Sequence, residues 1–223
     1  MAFYLHSRAE SHRPPANEAG GGRPPPRVDR ERQAIQLDYL QELGELLGAA
    51  APPQQVLRKV VEAVVESTGC DRAALCLLGQ NGRQLAVRLV RGEEPEALSD
   101  YFELQRGRGE SDFFFRLLEQ GSTLLVADLD LGDWRRRLPA GFLERVGPQG
   151  FILSPLQAGQ RTIGCLYADR LQGNEAVSDD DFRAFSRFFL QARLALSVGT
   201  ASAAKGSGAN GGVSHRGGSP AHS

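Results

Sequence analysis

Twice in this chain, two strand-like apolar runs are joined by a pair of turn-forming residues. The first run is Ala73-Ala74-Leu75-Cys76-Leu77-Leu78. In the second, Leu85, Val87 and Leu89 alternate with Ala86, Arg88 and Val90, and Asn81-Gly82 lies between the runs. Asn and Gly both tolerate the positive φ of a tight hairpin turn, so the spacing predicts a β-hairpin. The pattern returns at Phe151 to Ala158 and Thr162 to Asp169, with Gly159-Gln160 at the turn. A hairpin joins antiparallel neighbours, so two of them argue for a largely antiparallel sheet.

Helical periodicity surrounds these hairpins. Ile35, Tyr39, Leu43, Leu46 and Leu47 recur at helix spacing. Pro52-Pro53 opens a second helix whose apolar face is Val56, Val60, Val61, Val64 and Val65, and Gly69 is placed to cap its end. The middle is less regular. Pro95 to Leu104 reads as a short helix, and Ser111 as the cap of a helix over Asp112 to Gln120 that stops at Gly121. Thr123 to Ala127 reads as a strand, and Trp134 to Val146 as two helical pieces around Pro139, closed by Gly147. Ser178 and Asp181 resemble a capping box before a last helix that buries Phe182, Phe185, Phe189, Ala192 and Leu196. Phe188 and Leu194 fall off that face. The element order predicts a mixed fold of the α+β type: a central antiparallel sheet of about five or six strands with helices on both faces.

At both ends the composition changes. Residues 1–30 carry Pro14-Pro15, Gly20-Gly21-Gly22 and Pro24-Pro25-Pro26, and residues 199–223 are mostly Gly, Ser and Ala. Neither segment has the apolar surface to offset its ordering entropy, so both are expected to be disordered tails around one domain at 31–198. Net charge is −1, which gives no global electrostatic reason to expect nucleic acid. No apolar run is long enough to span a bilayer, and the polar turn after Leu5 argues against a secretory signal. Three cysteines without a CxxC fit a reducing, cytoplasmic setting. All four histidines, His6, His12, His215 and His222, lie near the ends, so the domain lacks the commonest general base and metal ligand. No enzyme activity, cofactor or metal is expected.

The second hairpin, Ser154-Pro155-Leu156, then Gly159, then Thr162-Ile163-Gly164-Cys165-Leu166-Tyr167-Ala168-Asp169-Arg170, resembles the late hairpin of GAF domains. The glycine after the isoleucine has a physical reason, because a strand glycine lets another backbone approach closely. The likeness covers about Leu37 to Val198. A narrower one joins Phe114-Phe115-Arg116-Leu117-Leu118, Trp134 to Phe142, and Leu166 to Arg170 to the GAF-like region found after HDOD domains in bacterial regulators. Phosphodiesterase-type GAF domains carry Asn-Lys, Phe and Asp-Glu where this chain reads Asp169-Arg170, Val177 and Asp181-Phe182, which argues against a cyclic nucleotide. Bilin attachment of the phytochrome type needs a cysteine beside a histidine, and the domain has no histidine.

The resemblance implies a bacterial signal-transduction module that senses a small molecule. The candidate ligand contacts are Phe102, Phe113, Phe114, Phe115, Arg116, Trp134, Tyr167 and Asp169: the irregular middle segment facing the sheet. Binding sites favour such segments on a rigid scaffold. A ligandless dimerisation or docking domain is the alternative, with the aromatics filling the space. A GAF-type methionine sulfoxide reductase is the enzyme alternative. Cys76 and Cys165 read as core residues, and Cys70 at a helix–strand junction as the more exposed thiol. Arg135-Arg136-Arg137 reads as a solvated face or an anion contact. A homodimer through the terminal helices is expected from their unpaired apolar stripes, and a further signalling protein upstream or downstream. Arg170 is expected to pair with Asp181.

Overall fold

A computed structural model of the protein describes residues 27–207, with side chains described for 30–197. Two helices come first, α1 (Arg27–Gly48) and α2 (Pro53–Ser67). The first hairpin follows as β1 (Arg72–Leu78) and β2 (Gln84–Gly92). The middle segment contributes α3 (Pro95–Tyr101), β3 (Leu104–Gln105), α4 (Ser111–Gln120), β4 (Leu124–Val126), α5 (Trp134–Arg137) and α6 (Ala140–Arg145). The second hairpin is β5 (Pro148–Ala158) and β6 (Arg161–Leu171), and α7 (Asp179–Ser207) is the last described element. The six strands form one sheet in the order β3-β2-β1-β6-β5-β4, and every neighbouring pair is antiparallel.

The pleat sorts side chains onto two faces, and a separate core forms on each. On one face, Ala73, Leu75, Ile152, Leu156, Leu166 and Ala168 meet Val56, Val60 and Val64 of α2 and Phe185, Phe188 and Ala192 of α7. On the other, Ala74, Cys76, Leu153, Cys165 and Tyr167 meet Phe102, Phe114, Leu118, Leu129 and Phe142 of the middle segment. Gly164 explains how β6 reaches β1: a Cβ there would run into the Cys76 carbonyl oxygen.

Several local expectations give way to longer-range contacts. Gly69 is not the cap of α2. The C-cap is Thr68 in extended conformation, and its hydroxyl donates to the Val64 carbonyl. Gly69 is small for another reason: a Cβ would collide with the Arg170 guanidinium, and its N–H donates to Asp181 Oδ1 at 2.7 Å. Ser111 makes no cap either, and is already the first residue of α4. The preceding Glu110 instead accepts the Ala140 and Gly141 N–H groups at 3.2 and 3.1 Å, capping α6. The capping box of α7 is formed. Asp181 N–H donates to Ser178 Oγ at 3.1 Å, and Ser178 N–H donates to Asp181 Oδ2 at 2.9 Å.

Cys70 is buried, contrary to the reading of an exposed junction thiol, because α2 and β1 meet over it. Phe188 is fully buried as well, since the sheet side of α7 is wide enough to take Phe185 and Phe188 together. Helix enters both segments read as tails: α1 starts at Arg27 and α7 continues to Ser207, where alanines favour its propagation. The rest of those segments, 1–26 and 208–223, lies outside the described residues.

Candidate functional site

The candidate residues converge on the middle-segment face of the sheet. Six rings, from Tyr101, Phe102, Phe114, Phe142, Phe151 and Tyr167, touch one another with centroids 5.2 to 6.4 Å apart. Most pairs are edge-to-face, the geometry that ring quadrupoles favour. Phe102, Phe114, Phe142, Phe151 and Tyr167 have no exposed surface. Helical spacing splits the Phe113–Phe115 run: Phe114 and Phe115 are buried, while Phe113 packs half-buried against Phe114. Trp134 is half-buried at the edge of the cluster with the Arg137 guanidinium over its ring, and Arg116 is exposed on α4.

Under the rings lies one polar group of side chains. Arg72, first residue of β1, sits opposite Asp169 of β6, and both are 0 % exposed. Arg72 Nε donates to Asp169 Oδ1 at 3.0 Å and Nη2 to Oδ2 at 2.6 Å, a two-pronged pair. Nη2 also donates to the Val146 carbonyl at 2.7 Å, which ties the end of α6 to the sheet. The Tyr167 hydroxyl donates to Asp169 Oδ2 at 2.8 Å. Both carboxylate oxygens are thus engaged from within the chain. Burial pushes the Asp169 carboxyl up from its ordinary value, more than the Arg72 and Tyr167 hydrogen bonds pull it down. Burial also raises the Tyr167 hydroxyl, with the Asp169 charge acting in the same direction.

Asp169 and Tyr167 share a strand face as their spacing predicts, but their principal partner, Arg72, is not among the candidates. A lone arginine opening an otherwise apolar strand, with a lone aspartate closing another, was the available signal. A concavity of about 450 Å³ opens between α1 and α7, and one of about 400 Å³ lies beside Gly69. Neither is lined by any of the eight candidates. The thiols are inert by position: Cys76 and Cys165 face each other across β1 and β6 with no exposure, and burial pushes the Cys70 thiol up to about 12. Of the Arg135–Arg137 run, Arg135 pairs with Asp130 and Arg137 stacks on Trp134. Among the described residues no group of three or more His, Cys, Asp or Glu side chains is placed to hold a metal ion. Among them, also, no helix is long and apolar enough to cross a membrane.

The family model for the GAF domain matches residues 52–196. The chain belongs to the GAF domain family. No curated protein matches it in sequence. Among solved structures, this GAF domain is similar to the one from a phosphoenolpyruvate-protein phosphotransferase of Coxiella burnetii. That match has 19% identity and a TM-score of 0.55, and covers 78% of this chain and 98% of that one. The phycoerythrobilin-bound GAF domain of a cyanobacterial phytochrome matches at 14% identity and a TM-score of 0.56, over 75% and 96% of the two chains. Free methionine-R-sulfoxide reductase from Neisseria meningitidis matches at 15% identity and a TM-score of 0.54, over 78% and 93%. At such identities the likeness is one of fold.

Proposed function

We propose that this GAF domain is a non-catalytic module of bacterial, cytoplasmic signalling. It works by pairing with a second copy of itself, and its own side chains occupy the interior above the sheet. The observation that carries the reading is the closed six-ring cluster, whose polar floor of Tyr167, Asp169 and Arg72 is bonded internally at every side-chain polar atom but Arg72 Nη1. Three buried thiols leave no accessible nucleophile of the sulfoxide-reductase kind, which supports a role without catalysis.

The pairing surface is the outer side of α1 and α7. The two helices run alongside in the same direction, Arg32 facing Asp181 and Gln36 facing Arg187. Among the described residues, four of the five large exposed apolar side chains lie on them: Leu190 and Leu194, one turn apart as a stripe on α7, and Ile35 and Leu37 on either flank of α1. A twofold copy covers such a stripe with the same stripe, which is the simplest closed solution. Sedimentation of the full chain at micromolar concentration tests this. A dimer is expected, with Leu190→Glu/Leu194→Glu giving a folded monomer whose melting temperature no longer depends on protein concentration. A monomeric wild type overturns the reading.

A small-molecule sensor is the second reading. It is favoured by the bilin-bound relative and by the edge of the cluster, where Phe113 and Trp134 stay half-buried and Arg116 exposed. Native mass spectrometry separates the two. The first expects the mass of the chain alone. A co-purified ligand that is lost in Trp134→Ala or Tyr167→Ala would establish the second.

A further inference from the structure

The tip of the first hairpin and the loop after β3 bring three arginines together. The Arg106 N–H donates to the Arg83 carbonyl at 2.8 Å, so these two residues lie side by side at the open end of β2 and β3. Arg108 follows two residues later, and the three line a concavity of about 460 Å³. The rest of its lining is Asn81, Gln84, Gln105 and Gly107, with no carboxylate. Arg106 is held in place by an ion pair with Glu119 and by the Phe115 ring, 4.8 Å from its guanidinium. Arg83 and Arg108 have no carboxylate partner among the described residues, and both are exposed.

Two other acids near this loop are already engaged. Asp112 accepts the Gly107 N–H at 2.7 Å, and Glu110 caps α6. Like charges set together on a sheet edge repel unless something neutralises them. Here one carboxylate serves three guanidinium groups. The side-chain amides of Gln84 and Gln105, on residues paired across β2 and β3, add donors to the same concavity.

We propose that this concavity binds a small soluble anion carrying two or more linked phosphates. Its two uncommitted guanidinium forks match phosphate oxygens in a way that a lone ammonium would not. The site lies on the open hairpin end, apart from the aromatic interior and from the α1–α7 surface, so it stands whether or not the domain pairs.

Calorimetric titration of the full chain with pyrophosphate is the test. Saturable binding with one site per chain is expected, weakening as salt is raised. Arg83→Ala and Arg108→Ala should each weaken it by about tenfold, the size of one charge-assisted contact. The melting temperature should stay unchanged, because neither side chain is buried. Arg135→Ala/Arg136→Ala, on the other basic run, should leave the affinity as it was. Absence of saturable binding at about 1 mM pyrophosphate would overturn the proposal, as would equal losses in the control variant. Binding confined to an oligonucleotide or to anionic vesicles, with none to pyrophosphate, would overturn it too, because the surface would then serve a macromolecule or a membrane.

Discussion

Asp169 and Arg170 are neighbours on β6 that point to opposite faces of the sheet, and each ends in an ion pair of a different kind. On the aromatic side, Asp169 meets Arg72 with no exposure of either, and the pair is bonded on to Tyr167 and to the Val146 carbonyl. On the helical side, Arg170 donates to Asp181 Oδ2 at 2.8 Å, with 12% of its side chain still exposed. That second pair also gathers the capping box of α7 and the Gly69 N–H. The two carboxyls shift in opposite directions. At Asp169 burial prevails and the pKa rises. At Asp181 burial is the largest single influence too, but bonds from Ser178 and Arg170 together outweigh it and the pKa falls. One cluster is a dry weld inside the molecule, and the other a joint between three chain segments at its edge.

The largest effect that separates them should come from removing each carboxylate. Asp169→Ala strands a fully buried guanidinium, and breaking such a pair costs about 3–5 kcal/mol. The double variant Arg72→Met/Asp169→Leu should recover only part of that, since it avoids the desolvation of both charges but leaves the buried Tyr167 hydroxyl and Val146 carbonyl without their partners. Asp181→Ala leaves Arg170 with a path to solvent and loses mainly the box and the Gly69 bond, so about 2 kcal/mol is expected. Urea unfolding of the three variants ranks them. Equal losses from Asp169→Ala and Asp181→Ala would show that burial is not what distinguishes the two faces.

Acid sharpens the comparison further. Because the Asp181 pKa is lowered in the folded state, its contribution is complete above the unfolded carboxylate value, about 3.9, and is lost as pH falls through the folded value. Asp169 has the opposite sign: its raised pKa means the folded state binds that proton more tightly, so acid does not destabilise the protein through it. Asp181→Asn should therefore flatten the acid limb of a stability–pH curve, while Asp169→Asn should steepen it, because a contribution of opposite sign is removed. A reversed pattern would mean that the two carboxylates had exchanged roles.

The features legible in the sequence are those that local chemistry decides. The Asn81-Gly82 turn, the Ser178–Asp181 box and the strand phase of Tyr167 and Asp169 are all set by residues within a few positions of one another. Arg170 and Asp181 were readable because the family resemblance pairs their positions. What escaped the sequence is decided across long separations. Arg72 meets a residue 97 positions away. Gly69 is kept small by Arg170, and Cys70 is covered where α2 and β1 meet. The site itself divides the same way. An aromatic middle segment facing Tyr167 is written in the residue types, whereas the closure of six rings over one another depends on how the sheet and the irregular segment fit.

The smallest expected effect tests whether the aromatic face behaves as a unit. Tyr167→Phe keeps the ring that packs on Phe102, Phe142 and Phe151 and removes only the hydroxyl. Asp169 Oδ2 loses the Tyr167 donor at 2.8 Å but keeps Arg72 Nη2 at 2.6 Å, so no buried acceptor is left without a partner. The cost should therefore be that of one exchanged hydrogen bond, roughly 1 kcal/mol, well short of the desolvation penalty of an orphaned group. A loss above about 3 kcal/mol would mean that the hydroxyl, carboxylate and guanidinium are coupled beyond their pairwise bonds. A double-mutant cycle with Arg72→Met would then measure that coupling directly, and a small value would return the triad to a simple weld under a packed interior.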